Sequence, residues 1–205
     1  MILYDNPIKL GYFAPYKTGT STISSFLRSV STFRKTAGDR SKRIDVAKHS
    51  IPDKLDLEKM ENDSYLYMIS VRNPYSRAAS LWAHFNRHYK DFDENRKLIS
   101  EKAKKLDLYD FFQWYAKSSL IKFQSDYWEA MPSRDFVIRF ETLNEDLKRL
   151  PFFPKGQTIP RLNENKEYKW IDLYKNEKYV SLIRDLHKVD FQNLGYSLDI
   201  NECLA

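Results

Sequence analysis

One cysteine, Cys203, stands in a chain of 205 residues. A single thiol excludes a disulfide framework and a cysteine-based metal site within one chain. Long hydrophobic runs are missing too: no stretch approaches the ~18 apolar residues of a membrane span. The opening MILYDNPIKL has neither the positive n-region nor the long apolar h-region of a secretory signal. As it stands the chain is expected to be cytoplasmic, or a domain trimmed from something longer. Internal repeats and low-complexity tracts are absent as well.

What is present suits one soluble globular domain with a sizeable core. Apolar residues make up 42% and charged residues 30%, the balance of a folded domain rather than a disordered or fibrous chain. Aromatics are abundant at 15%, enough both to fill a core and to line a ligand site. The formal charge of +6 suits an anionic partner such as a nucleotide, nucleic acid, acidic glycan or membrane surface. The same charge also serves simple solubility.

Apolar patterning places the elements. Residues 10–14 (LGYFA) read as a short buried strand. Ile23, Phe26, Leu27 and Val30 then recur at helical spacing. Residues 34–43 (RKTAGDRSKR) read as a basic surface loop, 43–49 as a short strand, and 52–62 as a short helix or turn. YLYMISV (65–71) is the strongest strand, a near-continuous apolar run suited to a buried parallel sheet. A helix follows with Ala78, Leu81, Trp82, Phe85 and Tyr89 aligned. Residues 90–105 read as a charged, solvated helix or excursion, and Leu108, Phe111, Phe112 and Tyr115 mark another helix. DFVIRF (135–140) is a third strand, and Thr142 with Glu145 predicts a capping box for the helix behind it. Residues 151–170 are a long loop with three prolines. Tyr179, Leu182, Ile183 and Leu186 mark the last helix. Strands alternating with helices predict an α/β fold, a single domain over 1–205 with a central, mainly parallel sheet flanked by helices.

Ligands of such sheets bind outside the carboxyl ends of the strands. Two breaks in the pattern sit at such ends: Pro15–Thr22 and Arg72–Ser80. In the first, PYKTGTST, hydroxyls and amides of Thr18, Gly19, Thr20, Ser21 and Thr22 gather at a helix start beside the cation Lys17. Helix starts carry unpaired N–H groups and partial positive charge, which suits an anion. The loop lacks a second glycine, and its lysine precedes the glycine. That disfavours a nucleoside-triphosphatase loop of the form G-x-x-x-x-G-K-[ST].

The segment resembles the 5′-phosphosulfate loop of sulfotransferases that use 3′-phosphoadenosine 5′-phosphosulfate (PAPS), commonly P-K-[ST]-G-[ST]-[ST]-[ST]. Lys17-Thr18-Gly19-Thr20-Ser21 fits that arrangement, with Tyr16 inserted between proline and lysine. VRNPYSRAASLW (71–82) resembles the same family's 3′-phosphate segment, R-x-P-x-x-R-x-x-S, through Arg72, Pro74, Arg77 and Ser80. DFVIRFETLNEDL (135–147), IPRLNENKEYKW (159–170) and the closing helix (179–196) are similar to later segments of the carbohydrate, Golgi-type members. The resemblance implies a P-loop-like nucleotide-binding core. It implies that Arg72 and Ser80 bind the 3′-phosphate, while Lys17 and the loop hold the sulfated 5′ end. Arg77 is read as bracing the loop, and Arg161, Asn163 and Lys166 as belonging to a lid over the nucleotide.

Sulfuryl transfer needs an aligned donor, stabilisation of the leaving 5′-phosphate and, for a hydroxyl acceptor, a general base. No metal is expected. His49 is the preferred base because an imidazole titrates near working pH. Glu58, Glu61 and Asp45 are its rivals, while His84 and His88 fall on the helix after Ser80 and His187, on the last helix, is read as structural. The expected partners are PAPS and a hydroxyl of a glycan or small metabolite, with no nucleic acid and no membrane span. The competing readings are a P-loop-type small-molecule kinase and a non-enzymatic, basic polyanion-binding module.

Overall fold

The computed structural model describes residues 2–4, 9–29, 51, 53–86, 94–118, 120, 122–154, 156, 159 and 169–204. By backbone proximity the chain groups into two compact units: Met1–Val71 with Asp126–Glu164, and Arg72–Ser125 with Asn165–Ala205.

The first unit is built on a four-stranded sheet in the order β1-β2-β3-β4. Its strands are β1 (Ile2–Tyr4), β2 (Leu10–Phe13), β3 (Leu66–Val71) and β4 (Phe136–Arg139). β2, β3 and β4 run parallel, with Phe13 opposite Ile69 and Val71 opposite Arg139. β1 adds an antiparallel edge, Ile2 opposite Tyr12. β2 is buried along its whole length, and β3 from Tyr67 onward. That explains why both read as apolar runs rather than as alternations.

Helix α1 (Thr20–Ser29) lays Ile23, Phe26 and Leu27 against the sheet. Full burial of such side chains contributes roughly 1.5–3 kcal/mol each. They share one core with Leu10, Tyr12 and Ala14, with Met68 of β3, with Ile138 of β4, and with Leu143 and Leu147 of the helix that follows β4. Phe153, behind that helix, stacks on Phe26 at 5.2 Å between centroids. The short, exposed helix α2 (Lys54–Asn62) precedes β3 and buries Met60.

The second unit is helical: α3 (Pro74–Asn86), α4 (Glu94–Lys105), α5 (Leu108–Lys117), then α6 (Gln124–Ala130), which begins in this unit and ends in the first. Helix α7 (Leu143–Lys148) belongs to the first unit, behind β4. The second unit resumes with a 3₁₀ turn at Trp170–Lys175, α8 (Glu177–Leu186), α9 (Lys188–Leu194) and a final 3₁₀ turn at Asn201–Leu204. Its core is aromatic: Tyr75 meets Phe191 at 4.9 Å and Tyr174 at 5.3 Å, and Phe111 meets Phe112 at 5.1 Å.

The strands expected at 10–14, 65–71 and 135–140 are therefore present, as are the helices at Ile23, Leu81, Phe111 and Ile183. The expected surface loop at 34–43 and strand at 43–49 lie outside the described residues. The capping box at Thr142 and Glu145 is a correction. Thr142 precedes α7 but caps no backbone amide with its side chain. Its hydroxyl donates instead to Asp146 Oδ2 at 2.9 Å. The same oxygen accepts the Arg139 N–H at 2.8 Å, so the carboxylate ties the end of β4 to its own helix. Among the described residues, no helix is long and apolar enough to cross a membrane.

Candidate functional site

The loop from Ala14 to Gly19 leaves the carboxyl end of β2 and feeds α1. Gly19 has φ +84° and its carbonyl accepts the first helical bond, from Ile23 N at 3.1 Å. Thr20, Ser21 and Thr22 therefore form the first turn, whose N–H groups have no partner within the helix. No carboxylate lies in that turn to offset its partial positive charge. Lys17 also sits at positive φ, +67°, a conformation that costs a residue with a Cβ about 1–2 kcal/mol.

Buried hydroxyls hold this loop in place. The Thr18 hydroxyl donates to Pro15 C=O at 2.8 Å and lies 2.6 Å from Ser70 Oγ. Ser70 Oγ is in turn 2.7 Å from Tyr12 Oη. A hydroxyl has one proton to give, so the order is fixed: Tyr12 donates to Ser70, Ser70 to Thr18, Thr18 to Pro15. Thr18, Ser70 and Tyr12 are fully buried, so the chain fastens the loop to both β2 and β3. The Thr20 hydroxyl reaches the same Pro15 carbonyl at 3.3 Å. Thr20 and Thr22 are buried, Ser21 is exposed, and Lys17 is half-buried. Phe140, just past β4 and 37% exposed, lies over the loop, and a Cβ added to Gly19 would come within 3.0 Å of its ring.

The Arg72 segment follows β3 directly. Asn73 caps α3, its side chain accepting the Tyr75 N–H at 2.9 Å and its carbonyl accepting Arg77 N at 2.9 Å. Pro74 takes the first helical position, where its missing N–H costs nothing. Arg72 Nε donates to Ser76 Oγ at 2.9 Å, and Ser76 donates to Asn73 C=O at 3.2 Å. Ser80 lies one turn beyond Ser76 on the same helix face, half-exposed. Arg77 is buried, 2% exposed; its Nη2 donates to Lys122 C=O at 2.8 Å and its Nη1 lies 3.8 Å from Asp190 Oδ2.

Asp190 completes that brace. Its Oδ1 accepts the Ser125 N–H at 2.7 Å, and its Oδ2 lies 3.0 Å from His187 Nδ1. Burial alone raises the Asp190 carboxyl, but the His187 bond, the Arg77 charge and the Ser125 amide outweigh it and hold it at about 2. Burial pushes His187 below the ordinary imidazole value, against the pull of Asp190. The pair is thus an ionised carboxylate and a neutral imidazole with its proton on Nδ1. His187 packs against Phe123 and Phe112, ring centroids 5.2 and 6.3 Å away.

The sequence-predicted residues divide by location. Lys17 through Thr22 form one loop and helix start in the first unit, and in the second Arg72 just precedes α3 while Ser80 lies midway along it. Glu58 and Glu61 are exposed on α2. His49, Asp45, His88, Arg161, Asn163 and Lys166 lie outside the described residues. Sequence reasoning missed Ser70, Ser76 and Gln124. Ser70 could have been found as the one serine inside an apolar strand; Gln124 carries no local signal. Among the described residues no group of three His, Cys, Asp or Glu could hold a metal ion. The chain matches no protein-family model. Neither a search of curated proteins nor one of solved structures finds a match.

Proposed function

We propose that this protein is a PAPS-dependent sulfotransferase with a P-loop-like nucleotide-binding core, acting on a hydroxyl of a glycan or small metabolite. One observation carries the reading: two anion-adapted segments follow immediately on neighbouring parallel strands, the Lys17 loop on β2 and Arg72 on β3. Carboxyl ends of parallel strands are where such folds hold nucleotides.

Each segment has the chemistry its role demands. The first turn of α1 offers amide donors and no carboxylate, and Lys17 adds a full positive charge. Charge that builds on the leaving 5′-phosphate oxygen is stabilised there. Arg72, held through Nε, carries a planar donor set suited to the 3′-phosphate. The acceptor oxygen forms a bond to sulfur as the bridging sulfur–oxygen bond to the 5′-phosphate breaks. The acceptor's proton passes to a general base, for which His49 is the assignment, ahead of Glu58, Glu61 and Asp45.

Titration calorimetry with 3′-phosphoadenosine 5′-phosphate tests the reading. The expected result is saturable binding that Arg72→Ala weakens by roughly 10–100-fold, the worth of a charge-assisted contact. No binding, or binding indifferent to Arg72→Ala, rejects it. Lys17→Ala is expected to lower turnover at least 100-fold while the far-ultraviolet dichroism stays that of the parent. Undiminished turnover removes Lys17 from its role.

A further inference from the structure

The main chain at Arg72 is caught by a residue distant in sequence. Gln124, fully buried, accepts the Arg72 N–H on Oε1 at 2.8 Å and donates from Nε2 to the Arg72 carbonyl at 2.8 Å. The two bonds close a ring like that between paired residues of an antiparallel ladder. The β3–β4 ladder reaches Val71, whose carbonyl takes the Phe140 N–H at 2.8 Å. Arg72 is then the single residue between the last strand position and Asn73, the cap of α3. It comes just after the strand ladder and just before the helix.

We infer that Gln124 is a positioning residue for Arg72, its side-chain amide standing in for a strand at the point where β3 ends. Gln124 fixes the base of the arginine side chain and Ser76 fixes its Nε. A long, rotamer-rich side chain held at both ends loses little further entropy when it meets a phosphate. The amide's separate acceptor and donor atoms let it span both main-chain groups of Arg72, which one carboxylate or one alkyl group cannot do. The inference rests on the nucleotide reading, in which Arg72 meets the 3′-phosphate. It adds that the affinity for that phosphate is set by a residue that does not touch it.

The test pairs two ligands, 3′-phosphoadenosine 5′-phosphate and adenosine 5′-phosphate, which lacks the 3′ group. Calorimetry on the full chain compares the parent, Arg72→Ala, Gln124→Ala, Gln124→Glu and the double variant Arg72→Ala with Gln124→Ala. The Gln124 variants are expected to lose about tenfold in affinity for the bisphosphate and to leave the monophosphate unchanged. Gln124→Ala added to Arg72→Ala is expected to cost little more, because the two act through one contact. Gln124→Glu retains the acceptor for the Arg72 N–H and serves where the alanine variant fails to fold. Parent-like bisphosphate affinity in both Gln124 variants, with Arg72→Ala still impaired, overturns the inference and spares the nucleotide reading. Equal losses for both ligands also overturn it, since they mark a general structural defect. If the parent binds neither ligand, the nucleotide reading falls and the inference falls with it.

Discussion

At the scale of single residues, the loop after β2 sets two backbone demands that differ in chemistry. Gly19 combines φ +84° with Phe140 in the path of any Cβ. Gly19→Ala is expected to destabilise the fold by roughly 1–2 kcal/mol in chemical denaturation. Lys17 adopts φ +67° with a Cβ in place, strain of the kind that collects at functional sites. Lys17→Gly is therefore expected to be more stable than Lys17→Ala by about 1 kcal/mol, although both lose the charge. Equal stabilities would remove strain from the account of Lys17. The lysine, the glycine and the hydroxyls were legible in the sequence because each is a local signal at a strand end. The division of labour among the hydroxyls was not: Thr18 reads as a phosphate ligand, yet its hydroxyl bonds Pro15 and Ser70. That difference depends on Ser70, 52 residues away.

At the scale of elements, legibility followed the reach of the cause. α1 and α3 announce themselves through spacing and through an Asn-Pro start, and β3 through its apolar run. β1 has three residues and is defined by its pairing with β2, which no local pattern reveals. The box at Thr142 and Glu145 misled because the Thr142 hydroxyl is aimed to donate to a carboxylate one turn into α7, Asp146, and caps no backbone amide. Asp190 shows the same long reach, joining α9, the Arg77 turn of α3 and the start of α6. Breaking a buried pair leaves a charge without compensation. Asp190→Asn is expected to cost about 3–5 kcal/mol, read from the denaturation midpoint. A loss within 0.5 kcal/mol would show that the pair contributes nothing.

At the scale of the whole molecule, the same buried pair ties folding to acidity. His187 is lowered in the folded chain, so below pH ~6.5 the unfolded chain takes up a proton that the folded chain refuses. Stability therefore falls as pH drops through that point, by at most about 1.4 kcal/mol per unit. Asp190, held at about 2, adds stability above its ordinary value of ~3.9 that is lost on further acidification toward 2. Melting temperatures between pH 7 and 5 are expected to fall more steeply for the parent than for His187→Asn; parallel curves would acquit His187. At this scale the α/β class and the parallel sheet were readable from alternating patterns, whereas the grouping into two compact units was not. Several long-range bonds that shape the candidate site, including Gln124 to Arg72 and Ser70 to Thr18, are invisible to any window of sequence. The hydroxyl series from Tyr12 to Pro15 has a spectroscopic consequence. Because it ends on a carbonyl, its protons can be ordered in one sense only. Buried and unable to reverse, they are expected to exchange slowly with solvent and to give discrete hydroxyl resonances in proton NMR; Ser70→Ala is expected to remove the Ser70 resonance and shift that of Tyr12, while Thr18 keeps its bond to Pro15.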